Sequence, residues 1–406
     1  MKRRILFVDD ERNVLDGLSR MLRSMRNEWE MAFVESGKGA LELLAGKSFD
    51  MIVVDMRMPG MDGLQLLKEV RDRHPHMVRI ILSGYADQEM TMQSVRVAHQ
   101  LLSKPCDSEV LKTTLARAFA LRDILRDESL LRVVSHIESL PAMPSVYMEV
   151  LEELNSPNAS AHKVAEVISK DLGIAAKILQ VANSAFFGIH SPINSLDRAM
   201  LLLGLETVAA LVATVQVFSM QGTGSATGFS ISALWSHSMR TGVLAKAIAV
   251  AEKQSQGVVD ESFTAGLLHD VGRLVLAVSI PEAYGRCIAL ACGTGRSIVD
   301  AEREIIGATH ADVGAYLMGL WGLPDAIVEA IAFHHSPQDC MAPSFCPLTA
   351  VHAANSLAGD AGASCVGPIA SEWIDRELLA ALGLSDRLPV WEAVAAKILE
   401  QGAANG

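Results

Sequence analysis

The chain has 406 residues, half of them apolar and only 5% aromatic, with a formal net charge of −12. That length suggests two or three domains, and the apolar share is enough for large aliphatic cores. Residues 1–120 are close to neutral, so nearly all the excess acid lies beyond them, and this excludes the basic footprint of a nucleic-acid-binding output.

The chain opens with a basic stretch and an apolar run, Arg4-Ile5-Leu6-Phe7-Val8, cut short by Asp9 and Asp10. The run is too brief for a signal peptide, and a cytoplasmic protein is expected. Further apolar runs follow: Met51-Ile52-Val53-Val54 closed by Asp55, Val78 to Leu82 closed by Ser83, and Leu101-Leu102 followed by Lys104-Pro105. Short continuous runs of this kind read as strands buried on both faces, and the segments between them carry helical periodicity. In a parallel α/β sheet the site lies at the carboxyl ends of the strands. Three carboxylates, a hydroxyl and an ammonium should therefore converge at one edge. Clustered carboxylates repel one another unless a cation lies among them, and an oxygen-rich site suits Mg2+. An ammonium and a hydroxyl beside that cation can hold phosphoryl oxygens.

These residues carry a resemblance. Phe7-Val8-Asp9-Asp10-Glu11, Val54-Asp55-Met56-Arg57-Met58-Pro59-Gly60-Met61-Asp62-Gly63, Ser83-Gly84-Tyr85 and Lys104-Pro105 resemble the receiver domain of two-component response regulators. The resemblance implies a doubly wound five-stranded parallel sheet of order 2-1-3-4-5. It also implies that Asp55 accepts a phosphoryl group from a sensor histidine kinase. Asp10 would bind Mg2+ directly and Asp9 through water, with Asp55 and the backbone carbonyl of Arg57 completing the set. Ser83 and Lys104 would contact the phosphoryl oxygens. Receivers usually carry an aromatic residue three positions before the lysine; here that position is Leu101.

A helical pattern starts near Ser108 and runs without Pro or Gly to about Ser139, longer than one receiver helix needs, so it reads as extending into a connector. It either packs on its own domain or forms a dimer seam. Beyond Pro141 and Pro144 strand signals vanish. The most apolar window, Ala199 to Phe218, contains Glu206, Thr207, Thr214 and Gln216, and reads as a buried helix with no membrane insertion. Met220 to Ser230 reads as a flexible joint. Six scattered cysteines form no Cys-x-x-Cys pair, so reduced, packed thiols are expected.

The helical half is rich in histidine. His237, His269, His310, His334 and His335 lie in it, and His269-Asp270 sits in an apolar stretch where a solvated pair is out of place. Such residues brought together by helices form either buried hydrogen bonds or a metal site. Leu140-Pro141-Ala142-Met143-Pro144, Asn183 to Gly188, Leu202-Leu203-Gly204-Leu205, Leu267 to Leu274, Gly307 to Gly314, Trp321-Gly322-Leu323-Pro324 and His334-His335-Ser336-Pro337 resemble the HDOD (HD-related output) domain. This resemblance implies an all-α output domain, a regulatory and non-catalytic relative of HD phosphohydrolases. His237 matches the first HD histidine, and His269-Asp270 the signature pair. His310, His334 and His335 resemble further histidines of two-metal relatives. Asn355 stands where a final acidic ligand is expected, Arg273 replaces a lysine, and no Gly-Tyr-Pro follows His335.

The expected organisation is a receiver at 1–120, a helical connector at 121–138, an HDOD domain at 139–340 and a C-terminal helical extension at 341–406. The expected output is non-catalytic and works by contact with a partner protein or a second copy of the chain, with the histidines packing the core and no stably held transition metal. Two alternatives stand beside it: a metal-dependent phosphohydrolase of a nucleotide or cyclic dinucleotide, and a small-molecule sensor.

Overall fold

The computed structural model describes residues 2–83, 97–124, 134, 144–154, 156, 159–183, 193–214, 229–340, 344–359 and 374–404. Contacts divide the chain into two compact units, one formed mainly by Met1–Ser139 and the other by Leu140–Ala182, Pro192–Gly319 and Leu323–Gly406.

In the first unit the strands are β1 (Arg3–Val8), β2 (Trp29–Val34), β3 (Met51–Asp55), β4 (Val78–Ser83) and β5 (Gln100–Ser103). Between and after them run α1 (Arg12–Met21), α2 (Gly37–Gly46), α3 (Gly63–Arg73) and α4 (Ser108–Ile124). All the strand pairs are parallel, in the order β2-β1-β3-β4-β5, as expected from the sequence. β1 and β3 are apolar runs whose inner residues are buried, as a sheet covered on both faces requires. Phe7 and Phe33 stack across β1 and β2, with ring centroids 5.1 Å apart. Register then aligns the carboxyl ends: Val8 lies beside Val54, Asp55 beside Leu82, and Ser83 beside Ser103.

Two local devices shape the end of β3. Asp62 caps α3 in a reciprocal box with Gln65, in which the Gln65 N–H donates to Asp62 and the Asp62 N–H donates to Gln65. The next residue, Gly63, passes so close to the end of β3 that an added Cβ would lie 2.3 Å from the Asp55 carbonyl oxygen. Only glycine lets the chain from Met58 to Gly63 fold back against the strand.

The second unit is helical throughout its described residues. Its helices are α5 (Pro144–Leu154), α6 (Ala161–Ser169), α7 (Leu172–Ala182), α8 (Leu196–Thr214), α9 (Ile231–Ala251), α10 (Gln256–Leu268) and α11 (Val271–Ser279). There follow α12 (Pro281–Thr294), α13 (Ile298–Ile305), α14 (His310–Leu320), α15 (Asp325–Phe333), α16 (Pro347–Ala358), α17 (Arg376–Ala381) and α18 (Leu388–Ala404). Serine caps recur at helix starts: Ser160, Ser230 and Ser255 each accept from a backbone N–H three residues on. α9 packs against α10, α16 and α18, and α15 packs against α10 and α16. The helices α16 and α18, after residue 340, therefore belong to this unit's core. Trp391 on α18 is fully buried, and its indole N–H donates to Glu252 at 2.7 Å while Arg387 holds the same carboxylate at 2.8 Å.

Among the described residues no single helix is long and apolar enough to cross a membrane. The connector beyond Ile124 apart from Val134, the joint between Met220 and Gly228, and most of the Leu140–Pro144 and Asn183–Gly188 motifs lie outside the described residues.

Candidate functional site

The aligned strand ends of the first unit bring three predicted residues into direct contact. Asp9 is buried and accepts the Glu11 N–H at 3.0 Å. Its other oxygen accepts from the Lys104 ammonium at 2.6 Å. Asp55 is buried at the end of β3, and its Oδ2 accepts the Arg57 N–H at 2.7 Å. Its Oδ1 is bound by the same Lys104 ammonium. Asp10 is exposed beside Asp9, Ser83 ends β4, and Lys104 precedes a cis Lys104-Pro105 peptide bond. The side chains of Ser83 and Leu101 lie outside the described residues.

Burial raises the Asp55 carboxyl above the ordinary range, against the pull of Lys104 and the Arg57 N–H, and Asp9 adds to the rise. Burial acts on Lys104 in the opposite sense, but its bonds to Asp55 and Asp9 outweigh it and hold the ammonium above the usual lysine range. Three carboxylates and one ammonium leave a surplus of negative charge among hard oxygen donors. That donor set fits Mg2+.

A second cluster stands at helix ends in the second unit. Asp270 occupies the N-cap position of α11, His269 the C-cap of α10, His334 the C-cap of α15, and His310 begins α14. His237 comes from α9, Asn355 from α16, and His335 follows His334 at an exposed position. Gly272 explains the approach of α11 to α14: an added Cβ there would lie 1.9 Å from the His310 carbonyl oxygen. The close crossing sets His310 Nε2 3.1 Å from Asp270 Oδ1, with His334 Nε2 3.7 Å from the same oxygen. His335 Nε2 lies 3.0 Å from His310 Nε2. On the other side of Asp270, His269 Nε2 lies 3.7 Å from Oδ2, and His237 Nε2 meets Asn355 Oδ1 at 2.9 Å.

The ring nitrogens facing away from the cluster are tied down. His269 Nδ1–H donates to the Gly266 carbonyl and His334 Nδ1–H to the Ile331 carbonyl, each at 2.8 Å. Each bond fixes the tautomer, so the buried Nε2 atoms of both residues present lone pairs to the cluster and have no hydrogen-bond partner. Burial lowers His269 to about 3; Asp270 opposes this, and His334 and His237 add to it. Burial also opposes charge on Asp270, but His269, Arg273 and His310 outweigh it and keep the carboxyl well below its usual range. For His310 the balance goes the other way: Glu302 and Asp270 overcome burial and raise it to about 9.

Sequence reasoning missed Glu302 on α13, which is fully buried and accepts from His310 Nδ1 at 2.7 Å. A glutamate eight residues before His310 in a charged helical turn carries no signal of its own burial. Arg273 donates to Asp270 Oδ2 at 3.1 Å and to the Tyr284 hydroxyl at 3.1 Å, so it braces the carboxylate through its second oxygen. His352 supports the backbone beneath: its Nδ1–H donates to the His334 carbonyl at 2.8 Å, and its Nε2 accepts the Asp375 N–H.

The parallel sheet with Lys104 bridging Asp9 and Asp55, followed by a helical unit with a His-Asp cluster, defines a receiver joined to an HD-related helical domain. The sequence matches the family model of the response regulator receiver domain over residues 5–116 and that of the HDOD domain over residues 140–337. The chain belongs to the response regulators that carry an N-terminal receiver and a C-terminal HDOD domain. It is 26% identical over 209 residues to an uncharacterized protein of Treponema pallidum (strain Nichols), covering 50% of this chain and 39% of that protein. It is also 33% identical over 118 residues to the response regulator protein FleR of Pseudomonas aeruginosa, covering 29% of this chain and 24% of that protein. The chain thus spans about two fifths or less of the length of these curated relatives. Among solved structures, the MmoQ response regulator of Methylococcus capsulatus str. Bath is 26% identical, with a TM-score of 0.48, and the match covers 63% of this chain and 98% of that one.

Proposed function

We propose that this protein is a phosphorelay response regulator in which Asp55 takes a phosphoryl group from a sensor histidine kinase inside the cell. The phosphorylated receiver, through the connector at 121–138, would then control the HDOD domain, whose output is contact with a partner protein. The observation that carries this reading is the shared Lys104 ammonium, which binds both Asp9 and Asp55 while the Arg57 N–H holds the remaining Asp55 oxygen.

Lys104 and Arg57 orient the Asp55 carboxylate, whose free lone pair attacks phosphorus. A P–O bond forms, the P–N bond to the kinase histidine breaks, and the imidazole leaves with a proton. Asp9, Asp10, Asp55 and the Arg57 carbonyl would hold Mg2+, which offsets the charge of the incoming phosphoryl group. Lys104 then exchanges a carboxylate oxygen for a phosphoryl oxygen, and the Ser83 hydroxyl is the natural donor to another.

For the output, Asn355 supports the non-catalytic reading, since it replaces a charged ligand by a neutral amide. The exposed Leu201 on α8 and Val250 on α9 offer apolar contact points for a partner. The second reading, a metal-dependent phosphohydrolase of a nucleotide or cyclic dinucleotide, is favoured by one observation, the convergence of His310 and His334 on Asp270 Oδ1.

Lys104→Ala is the test of the receiver reading. The variant should still accept a phosphoryl group from acetyl phosphate and Mg2+, because the nucleophile remains. It should lose the conformational response, because the group that reads the phosphoryl charge is gone. Labelling of Lys104→Ala with an intact response, followed by hydrogen exchange, would contradict the role given to the lysine.

A further inference from the structure

We infer that the helical domain holds one divalent transition-metal ion, bound by Asp270, His310, His334 and His335, and that the His237–Asn355 pair keeps a second, adjacent position closed. The cluster divides into two candidate donor sets that share Asp270: Asp270 with His310, His334 and His335, and Asp270 with His237 and His269. They differ in what they offer a cation.

In the first set all four donor atoms lie within 4.8 Å of one another, and His310 already has the spacing of a shared ion to two of them. Ligands bonded at about 2.0–2.2 Å to a common metal lie roughly 3.0–3.5 Å from one another. Here His310 Nε2 lies 3.0 Å from His335 Nε2 and 3.1 Å from Asp270 Oδ1, and His334 Nε2 is 3.7 Å from that oxygen. The buried His334 Nε2 has no hydrogen-bond partner, and its Nδ1–H is fixed on a backbone carbonyl. His310 has the carboxylate-backed arrangement of a metal-binding histidine, with Glu302 on its outer nitrogen at 2.7 Å. Arg273 restrains Asp270 through Oδ2 and leaves Oδ1 facing the histidines. Three imidazoles and one carboxylate select a borderline transition ion over Mg2+ or Ca2+.

The second set lacks charge, and of its two histidines only His269 presents an unpartnered Nε2. Two divalent ions about 3.5–4 Å apart need anionic ligands around them to offset their repulsion. Asp270 is the carboxylate common to both sets, and Asn355 adds no charge. His237 Nε2–H, moreover, donates to Asn355 Oδ1 at 2.9 Å, so that nitrogen holds a proton where a metal would need its lone pair. An aspartate at 355 would supply the missing charge and convert that hydrogen bond into a ligand pair.

The test uses the full-length protein, stripped with chelator and titrated with Zn2+ or Co2+, with bound metal counted after gel filtration. Wild type should retain about one equivalent, and Co2+ should give a visible d–d band from nitrogen ligation. His335→Ala, at the exposed member of the set, should lose that equivalent while its circular dichroism and melting of the stripped protein match wild type. Asn355→Asp should bind about two equivalents. Retention of none or of two by wild type, full retention by folded His335→Ala, or no gain in Asn355→Asp would each overturn the inference.

Discussion

Asp55→Asn should abolish phosphorylation of the full-length protein by acetyl phosphate and Mg2+, while wild type takes up about one phosphate per chain. The substitution is nearly isosteric, so the β3 terminus, the Arg57 N–H contact and the Gly63 approach survive it. What it removes is the anionic nucleophile, and an amide oxygen neither attacks phosphorus nor offers the same charge to Lys104. Asp9 is the buried neighbour and is held at both oxygens much as Asp55 is, so the substitution separates the two. Asp10 is exposed. Intact-mass spectrometry and peptide mapping read the result directly. Undiminished labelling of Asp55→Asn would move the phosphoacceptor to another residue.

Gly272→Ala should destabilise the helical unit by about 3 kcal/mol or more, the upper range for overpacking a tight core. The added methyl would lie 1.9 Å from the His310 carbonyl oxygen and 2.8 Å from the Gly314 N, both backbone atoms that no rotamer change can move aside. α11 and α14 must separate, and with them Asp270 and His310. A unit of this size should lose roughly 6–12 °C in melting temperature. The receiver site, built in the other unit, should still accept a phosphoryl group. A melt unchanged within 2 °C, taken as about 0.5 kcal/mol, would show that the crossing is looser than the structure places it.

The receiver was largely readable from sequence because its signals are local. Each strand is a continuous apolar run, each functional side chain falls at the residue that closes or follows a run, and parallel pairing makes those closures coincide. The convergence of Lys104 and the two aspartates at one edge follows from that rule; the direct bonds between them are seen only in the structure. The helical domain yields less. His269-Asp270 is visible as a pair out of place in an apolar segment, and His334-His335 through the family resemblance. Their partners are set by helix crossings that no local pattern encodes. Glu302 reads as one acid among several in Asp300-Ala301-Glu302-Arg303-Glu304, and only the fold buries it against His310. The bond between His237 and Asn355 spans 118 residues. From sequence alone the histidines read as core packing; the fixed tautomer and unpartnered Nε2 of His334 support a ligand role instead.

The central claim is that phosphorylation at Asp55 is felt in the HDOD domain. Hydrogen exchange of the full-length protein, with and without Mg2+ and beryllium trifluoride as a phosphoryl mimic, tests it most directly. A ligand shifts a conformational equilibrium only if its two states differ in free energy of interaction, so a working output must register the mimic. Altered protection is expected at the β3, β4 and β5 ends and also in peptides from residues 144–404, with both effects lost in Asp55→Asn. Changes confined to residues 2–124 would contradict the central claim.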